Sequence, residues 1–103
     1  MSHTTFEAAL SWDDPGEPVT EMVRRLELDR ASDAAFGLLE RGPTGWTLCI
    51  PDGAEAAAVV DEEIVDLGRL HLEPSGERHL PVRAGLRARV RMGSFRFEVR
   101  PTA

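Results

Sequence analysis

Residues 85–100 alternate apolar and charged side chains on either side of a two-residue interruption, and no other feature constrains the fold as much. Leu86, Ala88, Val90 and Met92 share one parity, and Arg87, Arg89 and Arg91 share the other. Gly93-Ser94 breaks the run, after which Phe95, Phe97 and Val99 alternate with Arg96, Glu98 and Arg100. Strand side chains point to opposite faces with period two, so each run has one apolar and one charged face. Two such runs joined by a tight glycine-containing turn predict an antiparallel hairpin with one buried face. The pattern specifies architecture and carries no chemistry of its own.

The rest of the chain reads the same way. Strands are expected over residues 6–12, 22–28, 34–40 and 46–50, with shorter ones near 57–60, 64–67 and 70–73. Pro-Gly at 15–16, Gly-Pro-Thr-Gly at 42–45, Pro-Asp-Gly at 51–53 and Pro-Ser-Gly at 74–76 supply the turns. Within 46–50, Trp46, Leu48 and Ile50 share a face, and Thr47 and Cys49 take the other. This punctuation predicts an all-β fold, a small antiparallel β-sandwich of one domain spanning 1–103, closed by the C-terminal hairpin. An alternative stays open within 18–40, where Val19, Met22, Val23 and Leu26 have helical spacing and Pro18 suits a helix start. A helix there makes the domain α+β. Gly37, unfavourable in a helix interior, and the turn at 42–45 that leads into strand 46–50 favour strands.

Composition excludes several chemistries. The chain has no Lys, Asn, Gln or Tyr, and all 12 basic residues are Arg. There is no lysine for a Schiff base or a phosphate-binding loop, and neither GxGxxG nor GxxxxGK[ST] occurs. A net charge of −6 argues against nonspecific nucleic-acid binding. Charge is unevenly spread: residues 1–66 hold four Arg against fifteen acids, and residues 67–103 hold eight Arg against three. No run reaches the ~18 apolar residues of a membrane span, and residues 1–5 lack the basic and apolar regions of a signal peptide. With a lone cysteine, these features lead us to expect a soluble, cytoplasmic domain without disulfides, cofactor or membrane insertion.

Candidate reactive groups read more simply as structure. His71 and His79 flank Glu73 and Glu77, but no known metal-ligand spacing links them, and His3 sits near the terminus. They are expected to be loop histidines, with no metal site. Asp13, Asp14 and Glu17 crowd a turn too short for a calcium loop, and Asp61-Glu62-Glu63 with Asp66 reads as a charged loop. Cys49, on the face opposite Leu48 and Ile50, is expected to be an inert thiol, because no base is placed beside it by spacing. Phe36, Trp46, Phe95 and Phe97 suit core roles. Nothing points to an enzyme.

Gly42 to Val99 resembles the later part of forkhead-associated (FHA) β-sandwich domains: Gly45-Trp46-Thr47-Leu48 looks like the strand after their central hairpin and Leu80 to Phe97 like their final hairpin, and more narrowly Gly45 to Leu48, Pro51-Asp52-Gly53-Ala54 and Arg87 to Phe95 carry the likeness. They are most similar to the divergent FHA-like domains of gliding-motility and TonB-like envelope proteins of gliding bacteria. Phe6 to Trp12 is like the opening strand of those domains. Phosphothreonine-reading members use a loop Arg, a Ser-x-x-His and an Asn-Gly; this chain has no Asn and no Ser-x-x-His. The resemblance therefore implies a noncatalytic scaffold that binds protein partners without reading phosphothreonine. The candidate partner-binding residues are Arg87, Arg89, Arg91, Arg96 and Arg100, an arginine face suited to an acidic partner; the acidic segment 61–66 suits a basic one. The alternatives are a small acidic inhibitor or immunity-type protein, and a structural subunit of a homo-oligomer joined through strand edges.

Overall fold

The computed structural model describes residues 5–14, 16, 18 and 20–102. Its strands are β1 (Phe6–Asp14), β2 (Thr20–Glu27), β3 (Ala34–Ala35), β4 (Leu39–Gly42), β5 (Gly45–Ile50) and β6 (Glu55–Val60). They continue with β7 (Glu63–Ile64), β8 (His71–Leu72), β9 (Arg78–Pro81), β10 (Leu86–Met92) and β11 (Phe95–Pro101). Two antiparallel sheets pack face to face, as the turn punctuation predicts for a β-sandwich. The larger has six strands in the order β2-β1-β11-β10-β6-β7; the smaller has five in the order β3-β4-β5-β9-β8.

Alternation in sequence becomes rows across the sheets. In the larger sheet, Leu26, Ala8, Val99, Ala88 and Ala58 stand in successive register across five strands. Next to that row run Leu10, Phe97, Val90 and Ala56. The smaller sheet answers with Leu39, Leu48 and Leu80. Phe97, Leu39, Leu48, Leu80, Val90 and Val99 are almost wholly buried, so both sheets feed one apolar cluster. Burial of this kind supplies the main favourable term in folding.

The C-terminal hairpin forms as expected. Met92 and Phe95 pair across Gly93-Ser94, and Gly93 takes φ 59 in the position where a II′ turn needs glycine. Leu86, Ala88 and Val90 are buried while Arg87, Arg89 and Arg91 are exposed. Phe95 departs from its expected core role: at the hairpin tip it is 44% exposed, with its ring 6.1 Å from that of Trp12.

The described part of 18–40 contains no α-helix. It forms β2, a 3₁₀ turn at Leu28–Arg30, then β3 and the start of β4. The helical spacing misleads because β2 is an edge strand on which Met22 and Val23, on opposite faces, are both exposed; Val19 lies outside the described residues. The strand expected at 34–40 is split by a tight turn, with Phe36 at φ 54, Gly37 at φ 70 and Leu38 N donating to Ala35 O at 3.1 Å. Positive φ at both central positions is the type I′ geometry that joins β3 to β4. Phe36 is held in this costly conformation by its ring, which meets that of Phe97 edge-on at 5.7 Å across the sandwich. The strand expected at 64–67 stops at Ile64, and Leu67–Arg69 forms a 3₁₀ turn in which Asp66 accepts from Gly68 N at 3.0 Å.

Candidate functional site

Because β10 and β11 commit their apolar parity to the core, Arg87, Arg89, Arg91, Arg96 and Arg100 all project from the outer face of the larger sheet. Arg91 stands opposite Arg96 and Arg89 opposite Glu98. A groove of about 610 Å³ crosses this face. Its lining includes small residues, Ala9 and Ser11 of β1 and Ala57 of β6, and long charged side chains of both signs.

The arginines divide into two sets. Arg96 reaches Asp13 at 3.2 Å and Glu21 at 4.0 Å, while Arg100 shares Glu7 with Arg25 at 3.7 and 3.8 Å. These pairs tie β11 to β1 and β2 but are too exposed to stabilise strongly. Arg87, Arg89 and Arg91 of β10 have no acid within ion-pair distance among the described residues. One half of the face is thus tied into ion pairs; in the other, Glu98 stands in register with Arg89 and Glu55 with Arg91, without closing an ion pair among the described residues.

The outer face of the smaller sheet carries a different arrangement. Cys49 of β5 pairs in register with His79 of β9, and His79 pairs with His71 of β8. Directly opposed residues project to one side, so a thiol and two imidazoles stand in one row. The chain turns back through residues 74–76, where Glu73 N donates to Glu77 O at 2.8 Å, and Glu73 and Glu77 form the next row. His79 Nε2 lies 2.8 Å from Glu77 Oε1 and His79 Nδ1 3.7 Å from Glu73 Oε1; His71 Nε2 is 3.1 Å from Glu73 Oε1. Cys49 is buried, and its thiol is pushed up to about 12, first by burial and then by the Glu40, Glu77 and Glu73 carboxylates. Burial and these carboxylates favour the neutral form of the thiol.

The histidines therefore differ from the expectation of solvated loop residues. His79 is a half-buried strand residue touching two carboxylates, and only His71 is well exposed. The missed signal is His71-x-Glu73 mirrored by Glu77-x-His79 about a Pro-Ser-Gly turn, which stacks two period-two pairs when the hairpin closes. The neighbour supplied by Cys49 comes from a distant strand and leaves no local trace. His3, Glu17 and the side chain of Asp14 lie outside the described residues.

Of the acidic segment 61–66, Asp61 and Glu62 take φ 49 and 71 in the turn from β6 to β7, and Asp66 pairs with Arg69 at 3.4 Å. Turn geometry accounts for Asp61, Glu62 and Asp66. No helix among the described residues is long and apolar enough to cross a membrane. Comparison with protein-family models, curated proteins and solved structures returns no match.

Proposed function

We propose that this chain is a noncatalytic protein-interaction module whose larger sheet receives an acidic segment of a partner along the outer groove. The observation that carries this reading is the arginine row of β10, which closes no ion pair among the described residues, with Arg89 and Arg91 lining the groove. Cationic side chains along a groove attract and orient an acidic chain. The two-sheet architecture and its closing hairpin support the likeness to a divergent FHA-like scaffold. Service in a bacterial envelope or motility assembly, from the cytoplasmic side, belongs to this proposal.

The test is capture from native lysate by the wild type beside an Arg87→Glu/Arg89→Glu/Arg91→Glu variant of verified fold. A partner that is acidic at its binding segment, held by the wild type and released by the variant or by salt, is the expected result. Equal capture by both proteins removes the arginine row from the interface. A tight one-to-one complex with a basic enzyme favours the inhibitor reading instead.

A second reading has its own observation. β2 is an 8-residue edge strand, paired only with β1, exposed along nearly all its length and free of Lys and Pro. Open edges of this kind template further pairing. Antiparallel pairing of two copies about Val23 sets Glu21 of each opposite Arg25 of the other. A mass that doubles with concentration, and returns to monomer in Val23→Lys, establishes the homo-oligomer.

A further inference from the structure

The row on the smaller sheet brings together atoms that the interaction reading does not use. The ligand-capable atoms of Cys49, Glu77 and His79 all lie within 4.8 Å of one another. Tetrahedral zinc, with bonds of about 2.0–2.3 Å, places its ligand atoms roughly 3.5 Å apart. Small side-chain rotations close that difference. We propose that Cys49 Sγ, His79 Nε2 and a Glu77 carboxylate oxygen form a binding site for one Zn²⁺, with the fourth position open to water or to a donor from a partner.

Four features support the assignment. The ligands stand on a hydrogen-bonded ladder, since Cys49 and His79 are register partners and Glu77 immediately precedes β9. The contact that zinc displaces is already short, with His79 Nε2 and Glu77 Oε1 2.8 Å apart. The other ring nitrogen, Nδ1, faces Glu73 Oε1 at 3.7 Å, where a carboxylate can hold the Nδ1–H tautomer and orient the ring toward a metal. The charge is unbalanced, because Glu73 and Glu77 stand in this cluster and neither pairs with an arginine among the described residues.

When zinc binds, the Cys49 S–H bond breaks, the S–Zn bond forms and the thiol proton leaves to solvent. His79 binds through an Nε2 that carries no proton, its ring proton being on Nδ1, and Glu77 exchanges its contact with His79 for the metal. The carboxylates that oppose a thiolate in the metal-free protein are balanced once a dication sits among them. A thiolate–imidazole–carboxylate set is borderline-soft and suits zinc better than magnesium or calcium.

The experiment titrates the purified chain, carrying His3→Ala to remove the terminal imidazole, with Zn²⁺ by calorimetry and with Co²⁺ by absorption. Saturation at one ion per chain and a thiolate-to-cobalt charge-transfer band are expected. Glu77→Gln and His79→Ala should each weaken zinc binding by about 100-fold, and Glu73→Gln by about tenfold. His71→Ala should change it less than threefold. Cys49→Ala should abolish the charge-transfer band; if that variant does not fold, the partly exposed Glu77 position decides. No saturable one-to-one binding, binding unchanged in Glu77→Gln and His79→Ala, or a cobalt complex without the thiolate band overturns the site.

Discussion

The two outer faces of this sandwich are built by the same alternation and end with opposite characters. On the larger sheet, arginines and acids are spread over long strands, and half of them neutralise one another across the ladder. On the smaller sheet, five polar side chains of three types converge where short strands meet a turn, with no arginine among them. A face of long strands disperses charge and suits a broad, salt-sensitive contact. A face where a turn crosses short strands concentrates donor atoms and suits a small ligand. Register, more than composition, separates the two.

The comparison breaks most completely at the shared core. Phe97→Ala removes a ring packed between the sheets and should lower stability by about 3–5 kcal/mol in urea titration. Both faces should then fail together; survival of either shows that it does not depend on the common core. Gly85→Ala acts on one side. Gly85 has φ 83, and a Cβ there would collide with the Asp61 carboxylate at the β6–β7 turn. A loss of about 1–3 kcal/mol is expected, with opening of β7 in hydrogen exchange while protection of β9 persists.

A thiol-reactivity measurement sharpens the contrast. Cys49 is 3% exposed, so the native, metal-free protein should alkylate far more slowly at neutral pH than the same chain in urea. Equal rates show that the face opens readily and is no site. Arg89→Ala should have the smallest effect, within about 0.5 kcal/mol of wild-type stability, while weakening the acidic partner about fivefold and flattening the salt dependence. A larger stability loss shows that Arg89 serves the fold rather than the groove.

Much of this was legible in the sequence, and what was not has physical causes. The parity of residues 86–100 puts Arg87, Arg89, Arg91, Arg96 and Arg100 on the outer face, because alternation is a property of a single strand. The turn at Phe36-Gly37 was hidden because type I′ turns prefer Asn-Gly or Asp-Gly, and here an aromatic contact from the other sheet holds Phe36 in place. Met22 and Val23 imitated a helix because an edge strand need not alternate. The Cys49–His79–His71 row lies beyond reach because its members are neighbours only across strands, and Cys49 and His71 are 22 positions apart.

The order of the larger sheet also bears on how the protein is made. β11, the final strand, lies between β1 and β10, pairing Phe6 with Pro101 and Phe97 with both Leu10 and Val90. While the ribosome is still extending the chain, β1 and β2 can form only a lone hairpin, separated from the β10 side of their own sheet. Such hairpins are marginal in water. The nascent domain therefore stays open until its last strand emerges and inserts at the centre. With so many long-range pairings to close around that strand, folding should be slow, and the larger sheet should gain its protection in hydrogen exchange as one unit.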